Sequence, residues 1–109
     1  MTTAIARVPT TSGAKYVQQL CKHWSHKLEV NLRENKGVVR FPSAIATMEA
    51  TADAILVTIE GREEEAVERM KGVIANHLDR FAFREAPLSF DWSNSGGTRD
   101  PSPPSSQVN

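Results

Sequence analysis

Apolar and polar positions alternate at the start of the chain. Thr3 to Val8 places Ala, Ile and Val around one Arg, which predicts a short strand, and Pro9-Thr10-Thr11-Ser12-Gly13 then supplies turn residues and a helix cap. From Ala14 to about Lys27 the period changes. Val17, Leu20, Cys21 and Trp24 recur at three- and four-residue spacing, the mark of a helix with one buried stripe. Alternation returns with Leu28, Val30 and Leu32 set between Glu29, Asn31 and Arg33. Asn35-Lys36-Gly37 reads as a hairpin turn, and Val38 to Phe41 as the returning strand. Pro42-Ser43 breaks that strand. Two more follow, Ala44 to Ala50 and Ala54 to Glu60, joined by the turn-like Thr51-Ala52-Asp53.

A longer helical pattern covers Arg62 to about Phe83, with Ala66, Met70, Val73, Ile74, His77 and Phe81 on its expected apolar stripe. Glu63, Glu64, Glu65 and Glu68 lie near its start and Arg80 and Arg84 near its end, complementing the helix dipole. Pro87 stops the helix, and Leu88, Phe90 and Trp92 alternate with Ser89 and Asp91 as a closing strand. From Ser93 onward no apolar residue occurs before Val108. The expectation is one domain over residues 1–92 and a disordered Ser/Pro/Gly-rich tail over 93–109. The order β-α-β-β-β-β-α, with the closing strand, describes an α+β fold: an antiparallel sheet with two helices across one face, of TBP-like or helix-grip type. A ferredoxin-like fold is the competitor and needs one hairpin to be read differently.

Composition narrows the function classes. A chain of 109 residues suits one small core. Lys plus Arg and Asp plus Glu are 13 each, so the basic excess that drives binding to a phosphate backbone is lacking and nucleic acid is not expected as a partner. The balance hides an asymmetry, since residues 1–50 are net basic and residues 51–109 net acidic, which suits attraction within one fold or between two copies. One cysteine, Cys21, excludes an internal disulfide. With no signal-like apolar run and no window approaching a membrane span, a soluble cytoplasmic protein is expected.

The candidate chemistry lies in the histidines. His23 and His26 fall in the first helix and His77 in the second. At about 100° per residue, His23 and His26 lie about 60° apart, whereas Cys21 lies about 160° from His23 and belongs to the apolar stripe as a buried hydrophobe. A His pair at this spacing holds a transition metal only weakly, so His77 is the expected third ligand of a His23, His26 and His77 set. The competing role for His77 is a hydrogen-bonded core imidazole.

Three stretches carry a family resemblance: Tyr16 to Lys27 with its Cys-Lys-His-Trp-Ser-His core, Arg40-Phe41-Pro42, and His77-Leu78-Asp79-Arg80-Phe81-Ala82-Phe83-Arg84-Glu85 running on to Phe90-Asp91-Trp92. In these the chain resembles the small bacterial family catalogued as domain of unknown function 2218, over most of Ala4 to Trp92. Similar domains occur attached to siderophore-interacting flavin reductases, so the resemblance implies a link to ferric-siderophore handling, with such a reductase as a partner. This sequence shows no flavin- or nicotinamide-binding part of its own and is not expected to be the reductase.

The leading expectation is a non-catalytic accessory protein that binds a small molecule, an iron chelate, between helices and sheet. His23 and His77 would orient the ligand, Arg80 and Arg84 would meet its negative charge, and Trp24 would form an apolar wall. The alternatives are a protein-interaction module, as a homodimer or docking on a reductase, and an enzyme using His77 as general base. No cofactor is identifiable. Histidines converging on an open cavity favour a binding protein, and a flat apolar patch favours an interaction module.

Overall fold

The computed structural model describes residues 2–95. Along them run β1 (Thr2–Pro9), α1 (Gly13–Trp24), β2 (Glu29–Arg33), β3 (Lys36–Arg40), β4 (Ala44–Ala50), β5 (Ala54–Gly61), α2 (Glu64–Phe81) and β6 (Asp91–Ser95). The strands join in one sheet of order β2-β3-β4-β5-β1-β6. Every neighbouring pair is antiparallel. The expected α+β class and element order are present, and four consecutive strands between the helices exclude the ferredoxin-like competitor.

Alternation decides which face of the sheet is covered. Ala4, Ala6 and Val8 of β1, Ala46 and Met48 of β4, and Ile55, Val57 and Ile59 of β5 are buried on one side. The alanines in β1 and β4 leave room for the helices. α1 lays Val17, Leu20, Cys21 and Trp24 on this side, and α2 adds Val67, Met70, Ile74 and Leu78. The opposite side carries no helix among the described residues. Val38, Thr47, Thr58, Ile5 and Ser93 follow one another across it in register, and Ile5 and Leu56 are 43% and 39% exposed there. No helix among the described residues is long and apolar enough to cross a membrane.

Three details differ from the sequence expectation. The β2–β3 turn falls at Glu34-Asn35, with Glu34 in the left-handed region at φ 52°, and Lys36 and Gly37 lie inside β3. Gly37 serves helix approach instead of the turn: a Cβ there would collide with the Cys21 sulfur of α1. The stripe of α2 is also rotated. Its centre is Val67, Met70, Ile74 and Leu78, while His77 and Phe81 are half-buried on its flank. An imidazole at the border keeps one nitrogen accessible, which a central position denies.

The closing strand is displaced too. Leu88 is buried, but it is held in a loop by its backbone N–H, which donates to the Asp79 carboxylate at 2.9 Å. β6 begins only at Asp91 and runs to Ser95, three residues into the segment that composition assigned to the tail. Trp92 and Asn94 face the helix side. The Asn94 amide donates to Glu68 at 2.8 Å, its carbonyl accepts from Lys71 at 2.8 Å, and the Lys71 ammonium lies 5.7 Å from the Trp92 ring centre. These polar contacts recruit Ser-Asn-Ser residues that carry no apolar signal. The remainder of the expected tail, 96–109, lies outside the described residues.

Candidate functional site

The last turn of α1 sets two aromatic side chains against α2. Trp24 is buried and His23 is exposed. The helix ends at Trp24 because the chain turns back, with the N–H of Ser25 donating to Cys21 and that of Leu28 to Trp24. His77 lies opposite. Its Nδ1 is 2.7 Å from the Val73 carbonyl, one turn earlier on α2. A carbonyl only accepts, so Nδ1 carries the proton and Nε2 keeps a lone pair for a ligand atom or donor.

The rings form a continuous row. His23 contacts Phe81 at 5.8 Å and His77 at 5.6 Å between centroids; His77 contacts Trp24 at 5.0 Å, and Trp24 contacts Phe41 at 5.0 Å edge to face. Two helices and the end of β3 therefore share one aromatic seam. Beyond Phe41 opens a cavity of about 840 Å³ between the β3–β4 connection and the β5–α2 connection. Phe41, Pro42, Ala44 and Ala66 give it apolar wall, and Arg40 and Arg62 bring cations to it, accompanied by Glu60 and Glu63. Thus Phe41 belongs to both features.

Of the expected ligand set, His23, His77 and Trp24 come together, but none of the three lines the cavity, which the row reaches only through Phe41. The three-histidine metal set does not assemble. His26 is exposed beyond the end of α1, where the helical spacing that paired it with His23 no longer applies, and no three His, Cys, Asp or Glu side chains among the described residues gather to hold a metal ion. Arg80 and Arg84 are exposed, and the Arg84 guanidinium lies over the Phe83 ring at 5.8 Å, outside the row. The cations at the cavity come from Arg40 and Arg62 instead. Only Arg40-Phe41-Pro42 gave a sequence signal for this region, as one of the stretches carrying the family resemblance. Cys21 is buried as expected, and burial pushes its thiol up to about 11.

Other residues of the longest motif stretch have structural work. The Glu85 carboxylate accepts from the Thr10 hydroxyl at 2.9 Å and from the Tyr16 hydroxyl. These bonds tie the loop after α2 to the β1–α1 connection. The bond to Glu85, then burial, raises the Tyr16 phenol above its ordinary value near 10. Asp79 anchors Leu88, so Asp79 and Glu85 position the loop that leads into β6.

The family model described as an uncharacterized protein conserved in bacteria (DUF2218) matches residues 5–93. The NMR structure of PA4090 from Pseudomonas aeruginosa is similar at a TM-score of 0.75 and 34% identity, covering 85% of this chain and 96% of that chain. No curated protein matches.

Proposed function

The chain belongs to the family described as an uncharacterized protein conserved in bacteria, and within it we propose a non-catalytic accessory domain that binds a small ligand along the row from His23 to Phe41 and into the adjoining cavity. The observation that carries this is the continuity of the row with the cavity wall at Phe41. The imidazoles are backed by aromatic rings instead of carboxylates, a setting for packing and hydrogen bonding. Two imidazoles fall short of the donors that a structural zinc ion takes. A metal chelate meets that shortfall, because it brings most of its own donors. Arg62 suits its anionic groups, joined by Arg40, which also pairs with Glu29 at 3.6 Å. An iron chelate is the ligand to test first, given the resemblance to domains attached to siderophore-interacting reductases.

The test is a fluorescence titration of the full chain carrying Trp92→Phe, which leaves Trp24 as the reporter. Ferric citrate, a ferric hydroxamate and haem serve as probes. Saturable quenching by at least one of them is expected, weakened about tenfold or more in His23→Ala and in Arg62→Ala. No saturable quenching by any probe would overturn the proposal, and so would quenching that neither substitution changes.

A further inference from the structure

We propose that the uncovered face of the sheet is the interface of a homodimer, two copies packing face to face about a two-fold axis parallel to the strands. The axis runs between β4 and β5. The sheet order then lays β3 of one copy over β1 of the other, β4 over β5, and β2 over β6.

The middle of the face suits such a contact. Val38 meets Ile5 of the second copy and Thr47 meets Thr58, so partly exposed aliphatic and threonine side chains lose water together. Charge agrees with the same axis. Arg33 and Lys36 stand at the β2–β3 end of the face, away from Asp91 on β6, and the axis brings Arg33 of each copy over Asp91 of the other. Arg7, which the axis lays near Lys36, has the Asp53 carboxylate at 3.4 Å on its own chain. Glu49 and Glu60, with Glu29 and Arg40 paired at 3.6 Å, complete a face on which neither sign dominates, so two copies approach without net repulsion.

The area is sufficient. Six strands about 4.8 Å apart and about six residues long on average at roughly 3.4 Å each give a face near 600 Å². Two copies would bury about 1,200 Å² in total, at the lower end of the range of roughly 1,200–2,000 Å² for specific interfaces. The helices and the histidine row stay on the outside of the pair, whereas Arg40, Ile45 and Glu60 bring the rim of the cavity to one end of the paired face.

Sedimentation equilibrium on the full chain tests this. A dimer of micromolar affinity is expected, with Thr58→Arg monomeric at about 200 µM and unchanged in thermal midpoint. Arg33→Glu and Asp91→Arg should each weaken the dimer about tenfold, and the two combined should restore it. A wild type that is monomeric at about 200 µM would overturn the proposal. So would a dimer that Thr58→Arg leaves intact, or a charge swap that restores nothing.

Discussion

Replacing Gly37 by Ala probes how closely α1 lies on the sheet. The new Cβ would collide with the Cys21 sulfur, but it would stand at ordinary distances of 3.5 Å from Val17 and 3.7 Å from Leu32. The collision is with one atom. Cys21 is 1% exposed and on a helix, where few χ1 rotamers are open, so its sulfur has little room to swing aside. Overpacking of this kind costs about 1–3 kcal/mol, against which Ala in place of Gly returns roughly 0.5–1 kcal/mol of chain entropy. The expected net loss is about 1–2 kcal/mol, or roughly 4–16 °C in thermal midpoint. Cys21→Ala alone should cost about 1 kcal/mol for one buried group. In the double variant the methyl introduced at position 37 occupies the space left by the sulfur, so the two losses should not add. Urea unfolding of the four proteins in reducing buffer, followed by far-ultraviolet circular dichroism, gives the coupling. We expect at least about 1 kcal/mol of mutual rescue; additivity within roughly 0.5 kcal/mol would refute the close approach at Gly37.

Tyr16 is the only tyrosine, so phenolate absorbance reports it alone. Its folded value is raised, and the stability it contributes is therefore fully present below about pH 10 and is lost as pH rises through the folded value. Glu85→Gln should lower the ionisation midpoint, and an unmoved midpoint would contradict the Glu85 bond as its main cause. Trp24→Ala should cost about 3–5 kcal/mol, because the buried indole packs on both Phe41 and His77; a loss under about 1 kcal/mol in urea unfolding would disagree with that packing.

The elements were legible wherever burial follows a clean period. β1, β4, β5 and the stripe of α1 bury the side that their alternation or three-four spacing selects. Legibility failed where a residue type has two uses. Gly37 looked like turn chemistry, but its lack of a side chain admits a helix that no local window reveals. Asn94 looked like tail composition, but it bonds to Glu68 and Lys71, 26 and 23 residues away. The site divided in the same manner. The meeting of His23 with His77 was foreseeable from two helices on one face, whereas the cavity depends on how the β3–β4 and β5–α2 connections face each other, which spacing along the chain does not encode. Arg80 had the right charge and the wrong azimuth, and Arg84 lies past the end of α2.

The place of β1 in the sheet has a consequence for how the chain assembles. Within the up-and-down run from β2 to β5 each strand pairs with its sequence neighbour, so the run can form quickly from local contacts. β1 precedes the other described elements in synthesis yet lies between β5 and β6, so its pairing must wait until both of them have been made. Until β5 arrives β1 itself is unpaired, with Ala4, Ala6 and Val8 uncovered, an invitation to intermolecular strand pairing. The arrival of β5 thus completes the middle of the sheet and also withdraws β1 from aggregation.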